Sequence, residues 1–331
     1  MPTLSPDLLG LSLLLGVGLG IFVTTVIGRT IYIMTHPPRR TYASAVARGK
    51  PGDPSEIPPP RGPRTFSSWS FPSRGRSLPV WDVVGDNAAG PIIILSHGWG
   101  DSRVGGLSRL PELARHASRL ILWDMPGHGD APGTCSLGTR EVDDLLELIR
   151  CVREPNRDIV LYGWSMGSGV SIAAAASDVR QRQARIAAVI AEAPSRGIVA
   201  PARAVLREKN LPRSWNVMPA LWLLGIDFGV GPTWRRKGPF DRAELAERLE
   251  CPLLVLRGEH DAIASHEDAA AIATAARGTL VTIPGGGHHG LWTNEAHAAE
   301  VRRVVHPFLT ALTGLPRPAP SPRSRPGSEK L

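Results

Sequence analysis

A chain of 331 residues, 42% of them hydrophobic, can bury one catalytic-size core of roughly 250 residues and still carry extensions. Its formal net charge of +8 lies mostly outside the middle: residues 29–64 hold seven basic against two acidic residues, 314–331 hold four against one, and 65–313 come to about +1. That distribution excludes the basic folded face with interleaved aromatics that nucleic-acid binding needs, and three cysteines without paired or CxxC spacing exclude a disulfide framework and a cysteine metal site.

At the N-terminus, residues 8–28 read LLGLSLLLGVGLGIFVTTVIG, without a charge over 21 positions. That length crosses a hydrocarbon core, and the run lacks the polar face of a helix in a soluble domain. It predicts one transmembrane helix within an N-terminal segment 1–34. The residues before it include Asp7 but no Lys or Arg, which does not fit the basic start of a cleaved signal peptide. The basic residues follow the span from Arg29 onward, and the positive-inside bias then places the C-terminal bulk in the cytoplasm, as a single-pass membrane protein. Residues 35–64 form a Pro-rich basic linker, with eight prolines between His36 and Arg64. This composition predicts a semi-extended spacer without a core, its positive charge lying near anionic headgroups.

From residue 65 to 313 the pattern alternates. A hairpin is expected around Phe66–Phe71 and Leu78–Val84, joined by PSRGRS. Buried strands follow at PIIILSH (91–97), RLILWD (119–124), DIVLYG (158–163), IAAVIAEA (186–193), PLLVLRG (252–258) and TLVTIPG (279–285). Segments of helical period separate them, among them 139–154 and 295–314. Fully apolar strands alternating with helices imply a mostly parallel sheet covered on both faces. The longest interruption, about 195–250, is too long for an ordinary loop and predicts a small helical cap. Its apolar load includes Trp215, Met218, Leu221, Trp222, Leu223, Leu224, Phe228 and Trp234. Residues 314–331 predict a disordered basic tail. Cys135, Cys151 and Cys251 are expected to be small buried hydrophobes.

The chemistry centres on Gly163-Trp164-Ser165-Met166-Gly167. Gly-x-Ser-x-Gly is a weak signal by itself, but here a buried strand precedes it and a small-residue helix start follows. In such a corner the serine backbone is strained, the glycines avoid collisions, and the hydroxyl projects above the strand ends. A serine nucleophile needs a base, a group that orients the base, and donors for the oxyanion. Asp261 follows the strand at 252–258. His288 and His289 follow the next strand, and His288 is the chosen base because it directly ends the glycine run; His289 is the alternative. The two are not a zinc pair, since adjacent side chains diverge and no third ligand is near. The oxyanion donors are expected to be the Met166 N–H and the Trp99 N–H, the latter from the loop His97-Gly98-Trp99-Gly100. His97 itself is expected to be structural.

The set HGWG, DMPGHG, GWSMG, GEHD and GGGHHG, in this order, resembles the α/β-hydrolase superfamily over residues 65–313. DMPGHG and the S-M-G elbow look most like its monoacylglycerol-lipase and serine-aminopeptidase-like branch. The resemblance implies an α/β-hydrolase fold, a triad of Ser165, Asp261 and His288, an oxyanion hole of Trp99 and Met166, and a structural role for His128. The expected function is a membrane-anchored serine hydrolase that cleaves carboxylic esters, lipid-like or small acyl, through an acyl-enzyme, with no cofactor or metal. The rivals are a serine peptidase or aminopeptidase on the same triad and a non-catalytic binding protein on this fold.

Overall fold

The computed structural model describes residues 6–59, 61–181, 184–225 and 241–313. The expected tail at 314–331, with Phe228 and Trp234 of the cap, lies outside them.

The first helix, α1 (Pro6–Thr35), is long and apolar enough to cross a membrane. After it come a short helix α2 (Tyr42–Val46) and a 3-10 turn at Pro54–Glu56. The hairpin β1 (Phe66–Ser73) and β2 (Arg76–Val84) turns on Arg74 and Gly75, both at positive φ, the geometry that matches the twist of paired strands. β3 (Ile92–Ser96), helix α3 (Leu110–Ala114), β4 (Arg119–Trp123) and helix α4 (Glu141–Val152) lead to β5 (Ile159–Trp164) and helix α5 (Met166–Gln181). Next come β6 (Ile186–Glu192), the cap helices α6 (Val199–Glu208) and α7 (Val217–Leu223), and α8 (Arg242–Ala246). The chain closes with β7 (Leu253–Gly258), α9 (His266–Ala275), β8 (Thr279–Ile283) and α10 (Glu295–Thr313).

The strands form one eight-stranded sheet in the order β1-β2-β4-β3-β5-β6-β7-β8, antiparallel at β1-β2 and β2-β4 and parallel elsewhere. Alternation along β3 shows how both faces are filled: Ile92 and Ile94 join Leu148, Ile172, Leu245 and Ile272 from α4, α5, α8 and α9. Ile93 and Leu95 face the other way, toward Leu110 and Leu113 of α3 and Val305 of α10. Every residue of β3, β5 and β7 is buried, which is why these strands read as continuous apolar runs.

The stretch 35–64, expected as a semi-extended spacer, is seated on the domain. Ile57 packs into the sheet-face core, Ala45 and Pro54 are buried, and Arg39 donates to the carbonyls of Gly129 and Ala131 at 3.2 and 3.0 Å. Arg40, Arg61 and Arg64 pair with Asp101, Glu112 and Glu295, and Asp86, so this charge meets carboxylates of the sheet domain. The prolines stiffen a path over the surface and the arginines fasten it. Helix α8, at the far end of the stretch 195–250, belongs to the sheet-face core through Ala243, Leu245 and Ala246. Of the cysteines, Cys135 is buried, Cys251 partly so, and Cys151 is exposed on the outer side of α4.

Ile57→Ala distinguishes a docked strap from a spacer. Removing this 5%-exposed side chain should cost about 2–4 kcal/mol, read as a fall of several degrees in the melting temperature of the full chain, where a free spacer would give no shift.

Candidate active site

The elbow is built by steric exclusion. Ser165 has a φ of +52°, left-handed backbone that costs a non-glycine residue on the order of 1–2 kcal/mol. Its N–H is held by the Glu192 carbonyl at the end of β6, 2.8 Å away, and its own carbonyl accepts the Ser168 N–H at 3.1 Å. The flanking glycines are required by contact rather than by their own φ. A Cβ on Gly163 would lie 2.1 Å from the Gly167 carbonyl oxygen, and one on Gly167 would lie 2.0 Å from that of Ser96. The chain therefore turns from β5 into α5 against the end of β3, with the serine at the apex.

The loops after β7 and β8 are fastened to each other. The His260 N–H donates to the Gly286 carbonyl at 2.7 Å, the Glu259 N–H to Ile283 at 2.9 Å, and the Gly285 N–H to the Glu259 carboxylate at 2.8 Å. A Cβ on Gly258 would come within 2.4 Å of the Gly286 backbone, so the two loops touch main chain to main chain. This contact brings Asp261 and His288 together. His288 Nδ1 lies 2.8 and 3.0 Å from the two Asp261 oxygens, and Nε2 lies 3.0 Å from Ser165 Oγ. With Nδ1–H given to the carboxylate, Nε2 is the lone pair facing the serine hydroxyl.

Asp261 is buried, which by itself would raise its pKa. The hydrogen bond and charge of His288 and the amides of Ala264 and Ile263, each 2.8 Å from Oδ1, outweigh burial and leave the carboxyl below its ordinary value. It therefore stays ionised beside the ring. His289 is exposed and lies edge-on to His288, centroids 4.9 Å apart. Of the pair, His288 is the ring that reaches the serine.

Neither expected oxyanion donor, the N–H of Trp99 or of Met166, has an acceptor among the described residues. The Trp99 peptide is set by a group that the sequence presented only as structural. Buried His97 accepts the Met125 N–H on Nε2 at 2.9 Å, so Nδ1 carries the proton and donates to the Gly98 carbonyl at 2.8 Å. The Asp101 N–H donates to the same carbonyl at 3.2 Å. In a trans peptide C=O and N–H oppose each other, so fixing the Gly98 carbonyl turns the Trp99 N–H away from His97. Burial pushes the His97 ring down to about 4, which keeps it neutral and its tautomer single. His128 is also buried, Nδ1 against the Pro126 carbonyl at 3.1 Å, and stands edge-on to His97.

Beneath the elbow lies a buried ion pair. Arg109 Nε and Nη2 donate to the Glu192 carboxylate at 2.9 and 2.5 Å, Tyr162 donates to it at 2.5 Å, and Trp292 Nε1 at 3.1 Å. Above the serine is a pocket whose walls include Met34, Trp99, Leu137, Met166, Ile198, Ala202 and Val205. Met34 belongs to the last turn of α1, past the uncharged run at 8–28, and had no signal in the sequence. Among the described residues no cluster of His, Cys, Asp and Glu could hold a metal.

A profile of the alpha/beta hydrolase family matches residues 93–304. The chain belongs to the α/β-hydrolase family. Among solved structures, the hydrolase resembles an esterase of Pyrococcus furiosus at 17% identity, covering 86% of this chain and 100% of that one, with a TM-score of 0.61. A thermophilic esterase from Thermogutta terrifontis is similar at 22% identity over 76% and 99% of the two chains, TM-score 0.53. An N-acyl homoserine lactonase is similar at 16% identity over 76% and 99%, TM-score 0.56. No curated protein matches the sequence.

The His97 reading predicts an ordered pair of variants. His97→Asn keeps an amide donor for Gly98 and should retain kcat on an acyl-ester probe within about tenfold of wild type. His97→Ala frees the peptide and should lower kcat by about a hundredfold, with KM changed little in both.

Proposed function

We propose that this hydrolase is a membrane-anchored serine esterase acting on lipid-like or other acyl esters. The observation that carries the reading is the continuous hydrogen-bonded line from Ser165 Oγ through His288 to Asp261, at 3.0 and 2.8 Å. In the first half-reaction His288 Nε2 takes the serine proton as Oγ attacks the ester carbonyl. Asp261 holds the imidazole and favours its charged form, and the Trp99 and Met166 amides bind the oxyanion. The intermediate collapses with the His288 proton passing to the departing alcohol. Water, deprotonated by His288, then releases the acid from the acyl-enzyme.

The pocket favours esters of apolar acids. Among the described residues its lining is apolar apart from Ser165, Ser195 and Arg242, and Arg242 is engaged with the Gly138 carbonyl at 2.9 Å. The carboxylate that would greet the free ammonium of an aminopeptidase substrate is not among those lining residues.

The arrangement of α1 and the cap supports entry from a bilayer. Val23, Val26, Ile27, Thr30 and Met34 make the covered stripe of α1, which packs on α7 and α6. Phe22 meets Trp215, ring centroids 6.4 Å apart. At the rise of an α-helix, Phe22 lies about 9 Å inside the end of the uncharged run at Gly28. With residues 8–28 in the hydrocarbon, the exposed cap residue Trp215 beside Phe22 stands among the upper acyl chains, near the interface where tryptophan is favoured. The basic residues after the span favour the cytoplasmic side for the domain, 65–313, by the positive-inside bias.

A fluorophosphonate probe should label the full chain and fail to label Ser165→Ala; equal labelling of both would remove Ser165 as nucleophile. On p-nitrophenyl esters Asp261→Asn should lower kcat by about 10⁴. The wild type should hydrolyse these esters far faster than aminoacyl-anilides, and the reverse order would favour the peptidase.

A further inference from the structure

The end of α1 is more closely engaged with the site than an anchor requires. The last carbonyls of an α-helix have no partner within the helix and must find one outside. Here residues of the catalytic domain supply it. Trp99 Nε1–H donates to the Met34 carbonyl at 2.9 Å, and the Cys135 N–H donates to the Thr35 carbonyl at 2.9 Å. One turn earlier, buried Asn216 at the start of α7 donates to the Thr30 hydroxyl at 2.7 Å. These three bonds fix the rotation and height of the helix end on the domain. As a result the Met34 side chain, 2% exposed, closes the pocket over Ser165 together with Leu137, Ile198 and Ala202. The indole that caps the helix belongs to Trp99, the residue whose backbone amide is the proposed oxyanion donor.

We propose that the C-terminal turn of α1 is part of the substrate site: Met34 limits the length of the acyl chain, and its carbonyl, through the Trp99 indole, positions the Trp99 amide. Met34 is thus a specificity-determining residue, and its carbonyl a positioning group. The proposal rests on the esterase reading above and adds that this specificity comes from outside residues 65–313. The geometry makes the two roles separable. A side chain that closes a pocket discriminates among substrates by size, where each added methylene shifts relative rates. A carbonyl that positions an oxyanion donor acts on every substrate alike, because the oxyanion is common to all esters.

The test uses the full chain in detergent micelles with p-nitrophenyl esters from acetate to palmitate. Met34→Phe should lower kcat/KM for the long chains by about tenfold or more relative to acetate, and Met34→Ala should move the optimum to longer chains. Met34→Leu, close in volume, should restore the wild-type order of chain lengths. Trp99→Phe keeps the backbone amide but loses the bond to Met34; it should lower kcat by about tenfold or more even on acetate, whose acyl group is too short to feel the change in the pocket wall. If Met34→Phe and Met34→Ala change all esters by one common factor, the specificity role is overturned. An unchanged kcat in Trp99→Phe overturns the positioning role. Either failure, found while Ser165→Ala still abolishes turnover, leaves the esterase reading standing; turnover surviving in Ser165→Ala would overturn that reading itself.

Discussion

The structure turns on the bond from the Ser165 N–H to the Glu192 carbonyl. It holds a serine in left-handed backbone at the end of a buried strand, so β5 and β6 must finish level with each other and α5 must start where it does. Glu192 is itself held from four directions, by both donor groups of Arg109, by Tyr162 and by Trp292. A buried carboxylate survives only when its charge and lone pairs are met, and losing one partner of such a pair costs several kcal/mol. Trp292 comes shortly after His288 in the chain and bonds the same carboxylate. One buried network thus braces the backbone of Ser165 from below and the loop of His288 from the side.

Much of this was legible in the sequence for a definite reason. Strands buried on both faces admit only apolar residues, so β3, β5 and β7 announce themselves, and residues at their C-terminal ends are brought to one edge by the parallel topology alone. Ser165, Asp261 and His288 each follow such a strand, and that is why their order along the chain sufficed to nominate them. The choice of His288 over His289 was legible from the glycine run, because only a flexible approach lets the ring bend back over the elbow. The antiparallel hairpin β1-β2 was legible from its Arg-Gly turn.

What was not legible depended on partners far away in the chain. Proline content predicts that residues 36–64 resist helix and sheet; it says nothing of whether the resulting extended path finds Glu112, Asp86 or the hollow that takes Ile57. The layer that α8 joins was not legible, because so short a helix carries too few residues for its apolar side to show it. Met34 could not be singled out, since it lies past the charged end of the apolar run in a stretch where nothing marks the residue that meets the pocket. His97 looked structural and is so, but its effect on the neighbouring peptide emerges only from the two bonds that fix its tautomer.

The docking of residues 36–64 alters what the N-terminal helix does for the enzyme. A catalytic domain on a loose leash would tumble above a bilayer and meet substrate in any orientation. Here Ile57, Arg39 and the pairs of Arg61 and Arg64 remove the slack, and the bonds at Met34 and Thr35 remove the swivel. With α1 in a membrane, the tilt of that helix becomes the tilt of the pocket. The direction from which an ester approaches Ser165 is then set by bilayer thickness as well as by the protein, since a thinner or thicker lipid layer changes the angle at which α1 crosses it.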